Sequence, residues 1–115
     1  MDDEEAIINV ARGILTSCGY EVQCALNGQD GIRYYKEHGK DVDAVLLDMS
    51  LPGLSGLEIY GEMLKLNPGV KVLLSSGFAE DERVKKAREQ GVRGFIHKPY
   101  TAEDLAREIK KVVEE

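Results

Sequence analysis

The chain lacks the features that mark several large classes of protein. Its 115 residues contain no apolar run near the ~20 residues of a membrane-spanning helix, and its start does not resemble a signal peptide. Positive charge is not in surplus, because 15 Lys and Arg against 21 Asp and Glu give a net charge of −6. Such a balance disfavours binding to nucleic acid and to anionic membranes. We therefore expect one cytoplasmic domain over residues 1–115, with no membrane insertion and no direct nucleic-acid binding.

Cysteine is also scarce. Cys18 and Cys24 are the only two, and they do not have the spacing of metal ligands. Both lie in apolar stretches, so we expect two buried, reduced thiols.

Apolar residues alternate between helical and strand spacing along the whole chain. The spacing predicts helices over residues 4–18, 27–38, 56–66 and 80–90 and a last one after Thr101, with Asn27 and Thr101 as N-caps. Strands are predicted over residues 20–26, 44–47, 70–74 and 94–97. Two of these strands are apolar at every position, which is typical of a sheet covered on both faces. The alternation predicts a parallel sheet between two layers of helices, with right-handed crossovers.

Polar residues stand where the parallel strands should end. Asp2 and Asp3 lie at the head of the chain, and Asp48, Ser76 and Lys98 follow the central apolar runs. Because the carboxyl ends of parallel strands share one edge, these side chains should converge there. Three neighbouring carboxylates repel one another, and a hard cation such as Mg²⁺ would relieve the repulsion. With a lysine and a hydroxyl opposite, the set is typical of phosphoryl transfer to a carboxylate.

Four segments carry a resemblance to a known family. They are DDEE at residues 2–5, VLLDMSLPGLSG at 45–56, VLLSSGF at 72–78 and GFIHKPY at 94–100. In this order and spacing, the chain resembles the receiver domain of bacterial two-component response regulators, including those found in hybrid histidine kinases. The resemblance implies an α/β, flavodoxin-like, doubly wound parallel sheet of five strands in the order 2-1-3-4-5.

The resemblance also implies a metal-dependent phosphoryl acceptor. Asp48 would accept a phosphoryl group from a phosphohistidine on a partner protein. Asp3 would bind Mg²⁺ directly and Asp2 through a metal-bound water, while Asp48 and the backbone carbonyl of Ser50 would be further ligands. Mn²⁺ is an alternative ion.

A second group of residues would bind the phosphoryl group and report its arrival. Ser76 and Lys98 match the hydroxyl and the lysine that contact it in the family, where the bond corresponding to Lys98–Pro99 is often cis. Phe95 matches the aromatic switch position, so movement of Ser76 and Phe95 would alter the surface of the fourth helix, fifth strand and fifth helix. By the same resemblance, Ser50 and Phe78 would flank the path of hydrolytic water, and the bulky Phe78 should prolong the phosphorylated state.

The implied partner is a histidine kinase or a histidine phosphotransfer protein, and homodimer formation stays open. The chain would catalyse only its own phosphorylation and dephosphorylation, either as a stand-alone regulator or as part of a larger protein. The alternative is a degenerate receiver that binds proteins without being phosphorylated. A phosphatase is disfavoured because aspartyl phosphatases have a second acid two residues after the nucleophile, and this chain has Ser50 there. A nucleotide or flavin binder is disfavoured because no glycine-rich loop follows the first strand.

The first strand is truncated or missing relative to the family, since only Met1 precedes the acidic pair. Three explanations stay open: a mis-assigned or truncated start, closure of the gap by the neighbouring strands, or a strand donated by another chain. In a truncated form, the α-amino group would lie beside Asp2 and weaken Mg²⁺ binding.

Overall fold

The computed structural model describes residues 1–51, 53–77 and 82–114. Its helices are α1 (Glu5–Ser17), α2 (Gly28–His38), α3 (Gly56–Leu66), α4 (Glu82–Glu89) and α5 (Ala102–Glu114). Its strands are β1 (Val45–Asp48), β2 (Val72–Ser76) and β3 (Gly94–His97), and a 3₁₀ turn covers Gly39–Asp41. The helices and the last three strands lie close to their predicted positions.

The three strands form one parallel sheet in the order β1-β2-β3. Every residue of the central strand β2 is buried, as its unbroken apolar sequence predicts. Asp48 lies opposite Ser75, and Ser76 lies opposite His97, so the three strands end at one edge. The predicted parallel sheet with flanking helices is confirmed.

Apolar side chains pack on both faces of this sheet. The larger cluster, which includes Leu47, Leu74 and Ile59, joins the sheet to α2, α3 and α4. The smaller one includes Leu73 and Leu105 and joins the opposite face to α1 and α5. Each large side chain that is fully buried stabilises the fold by roughly 1.5–3 kcal/mol, so these two clusters hold the strand ends in place.

Local capping explains where the helices begin and end. The Asn27 side chain accepts a hydrogen bond from the Asp30 amide at 2.8 Å, and Thr101 Oγ1 accepts one from the Asp104 amide at 3.0 Å. Both predicted N-caps are thus confirmed. After α1, Gly19 has a φ of 94°, a left-handed conformation that glycine adopts without strain.

The segment 20–25 is the main departure from the predicted fold. It forms no strand, so the expected strand over residues 20–26 is wrong, and the described residues contain three strands instead of five. In the implied strand order, the first strand would lie between this segment and β1. Because that strand is nearly absent, the segment has no neighbouring strand to pair with. Among the described residues, one backbone bond reaches it from the head of the chain, from the Asp2 amide to the Ala25 carbonyl at 3.2 Å.

The cysteines also differ from expectation. Cys18 and Cys24 are both exposed, so the prediction of buried thiols is wrong. Cys18 caps the end of α1, and Cys24 belongs to the unpaired segment, whose apolar residues no sheet covers.

Among the described helices, none combines the length and the apolar character needed to cross a membrane.

Candidate functional site

The carboxyl edge of the sheet gathers the polar residues that the sequence singled out. Asp48 is the last residue of β1 and Ser76 the last of β2, while Lys98 directly follows β3. The Lys98 amide donates to the Ser76 carbonyl at 2.7 Å, which fixes the backbone of the lysine beside the end of β2. The Lys98–Pro99 peptide bond is cis. Side chains that are far apart in sequence therefore meet because all three strands run in the same direction.

The acidic pair reaches this edge through the backbone of Met1. The Met1 α-amino group donates to the Leu46 carbonyl at 2.6 Å, and the Met1 carbonyl accepts from the Asp48 amide at 3.0 Å. The Asp2 carboxylate then accepts a hydrogen bond from the Glu4 amide at 3.0 Å, at the start of α1. The positions of Asp2 and Asp3 thus depend on backbone pairing of one residue with β1.

Asp2, Asp3 and Asp48 form an acidic cluster. Each offers a carboxylate oxygen within 4.8 Å of the other two; Asp2 and Asp48 are buried and Asp3 is exposed. Three carboxylates at this range repel one another unless cations neutralise them. Their hard oxygen atoms and the open side at Asp3 suit Mg²⁺ or Mn²⁺, which prefer oxygen ligands and keep some water.

Lys98 is the cation that the chain itself supplies to this cluster. Its Nζ lies 2.6 Å from Asp2 Oδ2 and 3.1 Å from Asp48 Oδ2, and 13% of its side chain is exposed. Burial alone lowers the pKa of Lys98, but the hydrogen bonds and charges of the two aspartates outweigh burial and raise it above its ordinary value. Lys98 is therefore a fixed positive charge between two buried carboxylates.

The loop after β1 holds the other oxygen of Asp48. The Ser50 amide donates to Asp48 Oδ1 at 3.0 Å, while the Ser50 side chain is exposed. The loop ends at Ser55, whose side chain forms a reciprocal capping box with Glu58 at the start of α3. Asp48 thus has one oxygen bound to backbone and one facing Lys98, at the mouth of the acidic cluster.

The predicted switch residues lie on the neighbouring strands β2 and β3. Ser76 is buried at the end of β2. Phe95 lies opposite Leu74 in the sheet and is half-buried against the larger apolar cluster. Phe78, the predicted tuning residue, lies outside the described residues.

Two contributions to the site were missed by the sequence reasoning. The first is the backbone of Met1, which positions the acidic pair. The second is Tyr100, whose pKa is raised by burial and by the charges of Asp2 and Asp48, against the opposing effect of Lys98. The sequence signal that could have placed Tyr100 at the site was its position two residues after Lys98, with one proline between them.

The α-amino group of Met1 is buried near the cluster. Burial lowers its pKa below 8.0, and the attraction of Asp2, Cys24 and Asp48 opposes that effect without reversing it. Its charged form is therefore disfavoured.

Known proteins resemble this chain along nearly its full length. The family model described as "Response regulator receiver domain" matches residues 1–110. The chemotaxis protein CheY of Treponema pallidum is 32% identical over 98% of this chain, which spans 79% of that protein. The sensor kinase CckA of Brucella abortus is 31% identical over 99% of the chain, which spans only 12% of the kinase. A response regulator receiver domain protein from Clostridium thermocellum matches with a TM-score of 0.93 and 31% identity, covering 98% of this chain and 90% of that one.

Proposed function

The chain belongs to the response regulator receiver domain family of two-component signalling, and from this membership we propose that Asp48 accepts a phosphoryl group from a partner's phosphohistidine. The observation that carries the proposal is the contact of Lys98 with both Asp2 and Asp48 at the carboxyl edge of the sheet. A buried carboxylate with a fixed lysine and two further acids is suited to binding a phosphoryl group and a divalent cation together.

The reaction forms one bond and breaks one. An oxygen of the Asp48 carboxylate attacks phosphorus, and the bond from phosphorus to the partner's imidazole nitrogen breaks. The nitrogen keeps the bonding electrons and takes up a proton, so the products are an acyl phosphate on Asp48 and a neutral histidine. The bond from the Ser50 amide to Asp48 Oδ1 orients the carboxylate and leaves the oxygen that faces Lys98 for attack.

Charge balance explains why the site needs a cation besides Lys98. The three carboxylates and one ammonium carry a net charge of about −2, and a phosphoryl group makes the site more negative. Mg²⁺ would be held by Asp3, Asp48 and the Ser50 carbonyl, with Asp2 acting through a water. When bound, the ion would neutralise charge on the phosphoryl oxygens. Lys98 can then move from the carboxylates to a phosphoryl oxygen.

Phosphorylation would be read out through Ser76 and Phe95. The hydroxyl of Ser76 would donate a hydrogen bond to a phosphoryl oxygen and draw the end of β2 toward the site. Phe95, packed at half-burial against the apolar cluster, would turn inward into the space released. The affected surface consists of α4, β3 and α5, which correspond to the fourth helix, fifth strand and fifth helix of the family.

The lifetime of the acyl phosphate would depend on the residues that flank the path of water. Ser50 is exposed beside Asp48, and Phe78 would shield the same path. Replacing Phe78 with Glu should speed dephosphorylation, and an unchanged rate would remove Phe78 from this role.

The partners follow from the reaction. We propose a cytoplasmic single domain that receives its phosphoryl group from a histidine kinase or a histidine phosphotransfer protein and binds no nucleic acid directly. It would not act as an enzyme on other substrates. Homodimer formation stays open.

The test is phosphorylation by acetyl phosphate with Mg²⁺, followed by intact-mass measurement. We expect a gain of one phosphoryl group that disappears in Asp48→Asn and without the metal. Asp43→Asn, an exposed acid just before β1, is the matched control and should be phosphorylated normally. No mass gain in the folded parent chain would favour the alternative function, a protein-interaction module that works without phosphorylation.

A further inference from the structure

The α4 turn, residues 90–92, joins α4 to β3 and is closed by backbone bonds to the end of the helix. The Gly91 amide donates to the Arg88 carbonyl at 3.1 Å, and the Val92 amide donates to the Ala87 carbonyl at 3.0 Å. With a φ of 103°, Gly91 has the left-handed conformation that this type of helix end requires. The position of this turn therefore fixes where α4 ends relative to the sheet.

A tyrosine from α3 reaches the α4 turn. Tyr60 is 1% exposed, and its hydroxyl donates to the Gln90 carbonyl at 3.2 Å. A Cβ on Gly91 would lie 3.4 Å from the same hydroxyl, so the tyrosine packs directly against the turn. Burial raises the pKa of Tyr60 against the opposing charge of Arg93, which keeps the hydroxyl protonated as a donor. Tyr60 thus ties the end of α4 to the middle of α3.

Two buried side chains attach α4 itself to the domain. Among the side chains of α4 that the structure describes, Val84 and Ala87 are buried, and the others are charged and exposed. A helix of eight residues has little stability of its own and depends on tertiary contacts. The hydrogen bond from Tyr60 therefore contributes a larger share of the energy that holds α4 in place than it would for a helix with a broad apolar face.

The proposed switch residue Phe95 packs in the same place. It is half-buried against the larger apolar cluster, which contains Tyr60 and the two buried residues of α4, and Val92 of the α4 turn packs at the edge of that cluster. Because protein interiors are densely packed, an inward turn of the Phe95 ring requires this cluster to repack. The bond from Tyr60 to Gln90 is already 3.2 Å long, so a shift of the α4 turn by well under about 1 Å breaks it.

We propose that the Tyr60 hydroxyl is a latch that stabilises the unphosphorylated arrangement of α4 and the α4 turn, and that phosphorylation breaks its bond to the Gln90 carbonyl. The inference rests on the proposed function, since it concerns the same switch. The bond is present in the arrangement in which Lys98 pairs with Asp2 and Asp48. An interaction made in one arrangement only shifts the balance toward that arrangement. The latch therefore lowers the apparent affinity of the site for a phosphoryl group.

The test compares Tyr60→Phe with a matched tyrosine variant. The probe is beryllofluoride with saturating Mg²⁺, since beryllofluoride resembles a phosphoryl group in size and charge, and its binding is measured from amide signals in NMR spectra. Tyr60→Phe should bind the probe about three- to fivefold more tightly than the parent, because it loses one hydrogen bond from the unbound arrangement only. Tyr35→Phe removes another buried hydroxyl, which accepts from the Asn67 side chain at 3.0 Å between α2 and the turn after α3. It should also lower stability but leave the affinity for the probe unchanged.

A spectroscopic measurement in the parent chain tests the latch without any substitution. The ¹³C signal of the ring carbon that bears the Tyr60 hydroxyl reports whether this hydroxyl donates a hydrogen bond. It should shift when the probe binds, while the corresponding Tyr35 signal stays in place. Equal or weaker binding by Tyr60→Phe, or an unmoved Tyr60 signal in a parent chain that binds the probe, would overturn the latch and leave the proposed function standing. Failure of the parent chain to bind the probe would overturn the proposed function and the latch together.

Discussion

Replacing Lys98 with methionine should destabilise the chain strongly in the absence of metal. Methionine retains most of the length of lysine but removes the ammonium that contacts Asp2 at 2.6 Å and Asp48 at 3.1 Å. Only 8% of the Asp2 side chain and 5% of that of Asp48 are exposed, so water cannot replace the lost cation. The substitution therefore leaves two buried carboxylates facing each other without a counter-ion.

The size of the effect follows from the spacing of the charges. Removing one partner of a buried ion pair costs about 3–5 kcal/mol. The carboxylate oxygens also lie within 4.8 Å of one another, which corresponds to a repulsion of about 3.5 kcal/mol per pair at an effective dielectric constant of about 20. We therefore expect a loss of at least about 3 kcal/mol in the free energy of unfolding.

The assay is urea denaturation in EDTA and again in saturating Mg²⁺. The ion should stabilise Lys98→Met more than the parent, by at least about 1 kcal/mol, because Lys98 no longer competes for the same carboxylates. Lys65→Met is the matched control: its ammonium lies 3.3 Å from Glu62 on the surface, and the loss should stay below about 0.5 kcal/mol.

Two results would refute this reasoning. One is a Lys98→Met variant within about 0.5 kcal/mol of the parent in EDTA, which would mean that Lys98 does not neutralise the buried pair. The other is equal stabilisation of both chains by Mg²⁺, which would mean that the ion does not bind at these carboxylates.

Three further predictions concern the surrounding fold. Gly56→Ala should lower the free energy of unfolding by about 1–3 kcal/mol, because the added Cβ would lie 2.7 Å from the Met49 backbone. Gly61→Ala has open space around the added Cβ and should be neutral or stabilising. Denaturation of the two variants checks this difference. Tyr60→Phe should cost about 1 kcal/mol because the buried hydroxyl donates to a backbone carbonyl at 3.2 Å, and unchanged stability would contradict it. Because burial lowers the pKa of the Met1 α-amino group, the unfolded chain binds more protons than the folded chain at a pH just below 8.0. The free energy of unfolding should therefore rise as the pH increases toward 8.0, and a flat profile would contradict this.

Much of the site was predictable because its residues follow continuous local patterns. The apolar runs before Asp48 and Lys98 mark buried strands, and parallel topology then brings the ends of those strands together. The caps at Asn27 and Thr101 were predictable for the same reason, since each depends on a bond to a backbone group three residues away.

The segment 20–25 was not predictable in this way because a strand depends on a neighbour elsewhere in the chain. Its sequence favours a strand, but Met1 and Asp2 supply only two residues where a whole strand would pair. The exposure of Cys24 is a consequence of the same missing neighbour. The positioning of the acidic pair by the Met1 backbone also depends on tertiary pairing and left no sequence signal.

Locating the phosphoryl group tests the central claim most directly. After treatment with acetyl phosphate and Mg²⁺, borohydride reduces an aspartyl phosphate to homoserine, and mass spectrometry of the peptides identifies the converted residue. The proposed function predicts homoserine at position 48 alone, and none when Asp48 is replaced by Asn. Conversion at Asp2 or Asp3 instead, or at no aspartate while the chain is folded and Mg²⁺ is bound, would contradict it.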